Sequence, residues 1–336
     1  MIVAPFRSLG LDDVPRVGGK SAHLGDLTRA GFPVPPGFAV TTAAFEAVVA
    51  SRAEELTAGI DPEDVEALEA KAAEARTVVE GLDVPDEIFA AIAAAYAELG
   101  DDEPVAVRSS AVAEDAADAS FAGMQSTYLW LCGADEVLAG VRRCWASYFN
   151  AEALAYRAQH GGAAGMSVAV QAMVDARVAG VMFTLNPVSG DPSSIAIDAS
   201  YGLGVTVVGG DVTPDSFLVS KVTREIVRTE IGTKEVECLR DPEGGGTLMR
   251  DVDKERRSRP CLAPEEVAQL AELGRGVERH YGRAQDVEWA IGRRGGRPSL
   301  LQARPETVWS QKERAANPYE GSVAAIAATY LGRREP

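Results

Sequence analysis

Cysteine, histidine and long apolar runs are scarce in this 336-residue sequence. The four cysteines, Cys132, Cys144, Cys238 and Cys261, show no CxxC spacing and have no histidine cluster beside them. A zinc site and a disulfide framework are therefore not expected, whereas free thiols in a reducing cytosol are. The three histidines, His23, His160 and His280, are each read as helix-face or helix-end residues. None sits in a GxSxG-like setting, which argues against a serine hydrolase. No stretch of about 18 apolar residues exists, so no membrane span is expected. The opening MIVAPFRSLG lacks a basic segment leading into an apolar one and does not read as a secretion signal. These features together predict a cytoplasmic protein.

Positive charge is also in deficit. Lys and Arg number 33 against 50 Asp and Glu, a formal net charge of −17. A field of that sign repels nucleic acid and anionic membrane, so neither is an expected partner. It repels ATP as well, unless Mg²⁺ intervenes or cations are concentrated locally. Any nucleotide site in this chain must therefore be built from a few well-placed basic groups.

What is present is an ordinary globular composition, 46% hydrophobic and 25% charged, with enough chain for about two domains or lobes. No repeat with a period of 20–50 residues is found. Helical signals dominate the first third. Gly18-Gly19 precede KSAHLGDLTRA, which ends at Gly31, and a Pro-fixed connection follows at 32–37. Helices are predicted over 42–57, 61–80 and 86–99. From 104 the texture becomes strand-like. Strands are predicted at 104–107, 126–131, 166–174, 179–185, 193–200 and around 215–231, with one long helix at 134–158. The polar stretch 240–260 reads as an excursion loop. An amphipathic helix over 263–281 and two closing strands, 286–291 and 299–303, complete a mixed α/β (α+β) pattern.

Three clusters carry candidate chemistry. Gly18-Gly19-Lys20 opens a helix, where free N–H groups, backbone access and a lysine suit an anion, although GxxxxGK[ST] is not matched. Arg108-Ser109-Ser110 leaves a buried strand and runs into the small-residue loop Ser120-Phe121-Ala122-Gly123. An arginine there can fork onto phosphate oxygens, and the loop can fold over them. Glu288, Gln302 and Arg304 lie on the closing strands. If those strands pair, Gln302 and Arg304 share a face and Glu288 can sit opposite Gln302. Carboxylate and amide oxygens are hard ligands suited to Mg²⁺, and Arg304 suits phosphate charge. Taken singly, each cluster also fits a surface lysine after a turn, a structural arginine, or a salt bridge at a sheet end.

Taken together and in order, the clusters resemble a known family. The stretches VGGKSAHLGDL (17–27), GFPVPPGFAVTT (31–42), VAVRSSAVAEDAADASFAGMQSTYL (105–129), VQAMV (170–174), GVMFTLNPVSGD (180–191), YGLGVTVVGGDVTPDSF (201–217) and DVEWAI…LLQARPET (286–307) run nearly the whole chain. They resemble the N-terminal nucleotide-binding domain of the pyruvate phosphate dikinase, phosphoenolpyruvate synthase and rifampin phosphotransferase family. The resemblance implies an ATP-grasp-like, two-lobe fold: an N-terminal lobe over 1–175, a C-terminal lobe over 176–310, and a tail or linker over 311–336. It implies that ATP is held between the lobes. Lys20 and Arg108 would contact phosphates, Ser120, Phe121, Ala122 and Gly123 would cover them, and Gln171 to Val174, Met173 included, would lie beside the adenine. Glu288 and Gln302 would hold Mg²⁺, and Arg304 would contact the terminal phosphates. Lys20, Arg108 and Arg304 are the catalytic candidates.

Two departures stand out: His23 where the family usually has Asn, and Val205 where its glycine motif usually has an acid. The family also carries a phosphoryl-accepting histidine on a further domain, and none of the three histidines here lies in such a context. That domain is expected on a separate partner chain, passing phosphate to a small-molecule acceptor, with AMP and phosphate as products. A non-catalytic ATP-binding regulatory module, or an ATP-grasp ligase forming an acyl phosphate, are the alternatives.

Overall fold

Alternating side chains in the early strands explain how one sheet serves two layers. Phe38, Val40, Val168 and Val170 are buried on one face, while Ala39 and Ala169 are buried on the other. Large apolar residues anchor a thick helical layer, and small ones admit a single close-packed helix. The computed structural model describes residues 1–58, 64–100, 102–111, 126–160, 165–243 and 245–309.

The chain opens with β1 (Val3–Pro5), two 3₁₀ turns and α1 (Val14–Arg29), then β2 (Gly37–Val40). Next come α2 (Thr42–Phe45), a π-helical turn, α3 (Ser51–Thr57), α4 (Val65–Glu80), α5 (Asp86–Ala97), β3 (Val105–Ala111) and β4 (Thr127–Leu131). Then follow α6 (Ala134–Ser147), α7 (Ala151–His160), β5 (Met166–Ala172), β6 (Ala176–Phe183), β7 (Ser194–Tyr201), α8 (Val205–Val208) and β8 (Asp215–Ser220). The remainder comprises β9 (Ile226–Glu230), β10 (Val236–Arg240), β11 (Thr247–Asp251), α9 (Lys254–Arg257), α10 (Pro264–Tyr281), β12 (Gln285–Gly292) and β13 (Ser299–Pro305).

Two antiparallel sheets organise these elements. The first has the order β1-β2-β5-β3-β4 and the second β13-β12-β6-β7-β8-β9. On the first sheet, Trp145, Ile92 and Val49 from the helical layer, with Phe149 from the break between α6 and α7, bury against the large-residue face, while α1 seals the small-residue face through Val17, Ala22 and Leu24. On the second sheet, α10 covers one face with Val267, Leu270, Ala271 and Val277, packed on Met182, Ile195, Ile197 and Trp289. Each Val, Leu, Ile or Met side chain among them contributes about 1.5–3 kcal/mol on burial. The other face of the second sheet turns towards the first. Contacts join the two halves: Leu300 N donates to Pro33 O at 2.8 Å, and His280 Nε2 lies 2.6 Å from Asp26 Oδ2. No helix among the described residues is long and apolar enough to cross a membrane.

This mixed helix-and-sheet architecture agrees with the α/β (α+β) class expected from the sequence. Several element readings are corrected. The helix expected over 134–158 divides at Tyr148-Phe149-Asn150, because Phe149 turns fully into the core and Asn150 O accepts from Leu154 N to start a new helix. The helix expected from 61 begins at Val65, where the Asp64 side chain accepts from Ala67 N at 3.1 Å; residues 59–63 lie outside the described residues. The strand expected over 166–174 ends at Ala172. The expected loop at 240–260 instead holds β11, which pairs back onto β10 just before it, and α9. The polarity of this region is deceptive: Glu237, on β10, is buried and takes Arg250 of β11 and Arg256 of α9 as partners at 2.7 and 3.0 Å, so charged residues tie the strand pair and the short helix together.

Candidate functional site

A cavity of about 540 Å³ lies between the facing sheets. Two β-bulges shape it. Between β3 and β4, Val105 pairs with Leu131 and Val107 with Tyr128, so β4 carries one extra residue. The bulge holds Trp130 at φ 64, an uncommon backbone for a bulky residue. Both Leu129 and Trp130 then join the apolar cluster at the cavity, while Leu131 stays with the helical core. Between β12 and β13, Glu288 pairs with Gln302 and Trp289 with Leu300. The extra residue there, Leu301, lines the cavity and presents its carbonyl to Arg108. Bulges re-aim side chains next to sites in this way.

One end of the cavity is polar. Arg108, from β3, reaches across to the second sheet, its Nη2 2.8 Å from Glu288 Oε2 and its Nη1 3.2 Å from Leu301 O. Gln302, directly opposite Glu288 in the register, is buried, and its Oε1 has no hydrogen-bond partner among the described residues. Arg304 pairs with Asp286, its Nε and Nη2 2.8 and 2.7 Å from the carboxylate. Burial by itself pushes the Glu288 carboxyl up, but Arg108, helped by Lys20 and Arg304, outweighs it and holds the group below the usual carboxylate range. At Asp286 the balance reverses. Burial outweighs Arg304, the Glu288 and Glu306 carboxyls add to it, and the group is raised.

Lys20 is buried, and its Nζ donates to Ser109 O at 2.9 Å. The local sequence explains its placement. Helix α1 is interrupted at Gly18, with φ 69 and ψ 167, and resumes at Gly19. A Cβ at Gly18 would lie 2.3 Å from Ser110 O, so only glycine lets the turn rest on β3. Ser110 Oγ donates to Val17 O at 2.9 Å and accepts from Ser21 N at 3.3 Å, stitching the helix restart to the strand. The serines beside Arg108 thus dock α1 and position Lys20.

The opposite end is apolar, walled by Leu129, Met173, Val174, Leu203, Ala290 and Leu301. Gln171 stands near the end of β5; its Nε2 is buried without a partner among the described residues. Met173 and Val174 follow in the connection to β6, not within a strand. Arg240 from the β10–β11 hairpin lies over the Trp130 ring at 5.2 Å. Val205 lines the cavity and is 41% exposed, so that rim is apolar. His23 is buried, edge-on to Tyr281 with ring centroids 5.3 Å apart, away from the cavity.

The fold thus brings Arg108, Gln171, Met173, Val174, Glu288, Gln302 and Arg304 to one cavity, with Lys20 behind Arg108 on α1. Ser120, Phe121, Ala122 and Gly123 lie outside the described residues. Sequence reasoning missed Asp286, Leu129, Trp130, Leu203 and Leu301. Asp286 was within reach, two residues before Glu288 on the same strand face; the bulge residues carried no local signal.

A cavity with two guanidinium groups and the unpartnered Gln302 Oε1 at one side and an apolar slot at the other complements an elongated ligand, anionic at one end and flat at the other. Over residues 14–322 the chain matches the family described as pyruvate phosphate dikinase, AMP/ATP-binding domain. A probable phosphoenolpyruvate synthase from Methanothermobacter thermautotrophicus is 43% identical over 319 residues, covering 91% of this chain and 46% of that protein. A phosphoenolpyruvate synthase from Pyrococcus furiosus is 39% identical over 377 residues, 97% of this chain and 46% of that protein. A rifampicin phosphotransferase from a Streptomyces species is 40% identical over 316 residues, 91% and 36% respectively. The chain belongs to the pyruvate phosphate dikinase AMP/ATP-binding domain family, and it spans less than half the length of these relatives.

Proposed function

We propose that this chain binds MgATP in the cavity between its two sheets, which act as N-terminal and C-terminal lobes, and phosphorylates a histidine on a separate partner domain. AMP leaves, one phosphoryl group stays on the histidine for transfer to a small-molecule acceptor, and the other is released to water as phosphate. The route is that of a phosphoenolpyruvate synthase-like phosphotransferase. The observation that carries the reading is the convergence of Arg108 from the first sheet with Glu288, Gln302 and Arg304 from the second at the polar end of one cavity.

Each residue has a physical task. Arg108 forks onto phosphate oxygens once it leaves Glu288, and Arg304 adds a second guanidinium at the mouth. Lys20 strengthens the local positive field of a chain that is otherwise strongly acidic. The apolar slot and Gln171 hold the purine. Glu288 and the orphaned Gln302 Oε1 are oxygen donors of the kind Mg²⁺ takes, so the residues fit that ion. Bound there, Mg²⁺ would neutralise charge on the polyphosphate.

Intact-mass analysis of a candidate histidine-domain protein after incubation with this chain and MgATP tests the transfer. A gain of one phosphoryl group, with AMP formed, is expected. Arg108→Ala is expected to lower MgATP affinity roughly ten- to a hundredfold, from a charge-assisted contact worth about 1.5–3 kcal/mol, with Arg108→Lys recovering part of it. The apolar Val205 rim favours one second reading, a binding module without turnover; nucleotide binding with no AMP formed in the presence of the partner would select it.

A further inference from the structure

We propose that β9, the outer strand of the second sheet, is a self-complementary edge through which two copies of this chain pair antiparallel, about a two-fold axis at Thr229. The inference is independent of the nucleotide reading: none of the described residues lining the cavity lies on β9.

The two edges of the second sheet differ. β13, at one end of the strand order, packs beside α1, and its Leu300 N is taken by Pro33 O. β9, at the other end, pairs with β8 on one side only, so a row of its N–H and C=O groups faces away from the sheet. The side chains along it are open too: Val227 is 57% and Ile231 41% exposed, and the Arg228 and Glu230 side chains are 68% and 58% exposed. Both ends of the strand are held. Ser220 N donates to Glu225 O at 3.0 Å at the turn from β8, and Gly232 N donates to Asp215 Oδ1 at 2.9 Å where the chain leaves. Leu218 lies opposite Arg228 and Val219 opposite Ile226, so Val227 is the extra residue of a bulge. A bulge twists an edge and shortens what can pair with it, but the register from Arg228 to Glu230 is regular.

The sequence of this edge complements itself when reversed. In Val227-Arg228-Thr229-Glu230-Ile231, two antiparallel copies centred on Thr229 set Arg228 opposite the partner's Glu230, and Glu230 opposite the partner's Arg228. Thr229 then faces the partner's Thr229, and Val227 falls opposite the partner's Ile231. Arg228 and Glu230 already share a face, because they pair with each other along the strand, so each can exchange its own counter-ion for the partner's. Charge also selects this register. Centring on Arg228 sets arginine against arginine, and centring on Glu230 sets glutamate against glutamate. A chain of net charge −17 resists contact with its own copy, which favours a joint where one arginine and one glutamate balance. The axis is perpendicular to the sheet, so the joint is isologous and closes at two copies. β12 lies four strands in from β9, roughly 19 Å away, so the pairing does not touch the cavity.

Sedimentation equilibrium of the whole chain, over about a hundredfold range of concentration, tests this. The wild type is expected to show a reversible monomer–dimer equilibrium that stops at the dimer. Arg228→Glu sets two carboxylates against each other at two places in the dimer, and Glu230→Arg does the same with guanidinium groups. Each is expected to weaken self-association at least about tenfold. An equimolar mixture of the two variants is expected to associate to within about threefold of the wild type, as a mixed dimer, because opposite charges face each other again at both places. The doubly exchanged chain, Arg228→Glu with Glu230→Arg, is expected to pair with itself as the wild type does. Thermal melts check that the variants are folded; should a single variant fail to fold, the wild type and the doubly exchanged chain still decide. A wild type that is monomeric at every concentration, as it would be if a segment of the same chain covered β9, overturns the proposal. So does association that continues past the dimer, association indifferent to either folded single variant, or a mixture that associates no better than its components.

Discussion

Gly18→Ala isolates the contact that sets Lys20 beside Arg108. With φ 69 and ψ 167, Gly18 occupies a region that side-chain-bearing residues enter only at a cost of about 1–3 kcal/mol. The new methyl would also lie 2.3 Å from Ser110 O, 2.4 Å from Ser110 Oγ and 2.7 Å from Ser110 C, mostly strand backbone that cannot yield cheaply. Relief requires α1 to lift from β3, weakening the Ser110 links to Val17 and Ser21, each worth about 1 kcal/mol. The total loss is expected at about 3–5 kcal/mol, with lower ATP affinity in whatever remains folded because Lys20 moves with the helix. Gly31→Ala supplies the control. Gly31 has φ 82, but a methyl added there would meet nothing within 4 Å, so it should lose only the backbone cost of about 1–2 kcal/mol. Urea denaturation followed by circular dichroism, with ATP titration of the folded fraction, measures both. Gly18→Ala no more destabilising than Gly31→Ala, with unchanged ATP affinity, would refute the docking argument.

Two further perturbations follow from buried charge. Lys234 and Asp215 form an ion pair with both side chains fully buried, and Lys234 Nζ also donates to Gly232 O and Arg257 O at 2.8 and 3.0 Å. Lys234→Ala strands the carboxylate and should cost about 3–5 kcal/mol in urea unfolding; a loss below about 1 kcal/mol would show that the pair is not holding this region together. The pH dependence of stability should report Glu288. Its folded carboxyl titrates below its ordinary value, so its contribution is present above the unfolded value near 4.5 and is lost as pH falls through the lower folded value. The stability gap between the wild type and Glu288→Gln should therefore narrow with acidification below about pH 4.5. A gap that widens on acidification would mean that burial, not Arg108, dominates at Glu288.

Much of this molecule was legible along the chain because local chemistry and local geometry coincide there. Short strand-like apolar runs marked the strands around Val107, Val170 and Ile197, and the amphipathic pattern over 263–281 marked α10. The cross-strand pairing of Glu288 with Gln302 follows from adjacent antiparallel strands joined by a short turn. The β10–β11 hairpin was illegible because a buried Glu237 looks, in sequence, like a solvated one until its two arginines are brought to it. The division at Phe149 likewise depends on a pocket that only the packed helices create.

The sequence by itself determined the class of the fold, most of its longer elements and the residue types available for an anionic ligand. Tertiary structure alone decided how they meet. Arg108 and Glu288 are 180 positions apart, and their 2.8 Å contact exists because two sheets face each other. Two bulges and one glycine break aim the intervening groups, and such features depend on the register between strands and on close approach between elements. Periodicity reports which face a residue occupies, whereas the partner across the cavity is fixed only once both sheets have packed.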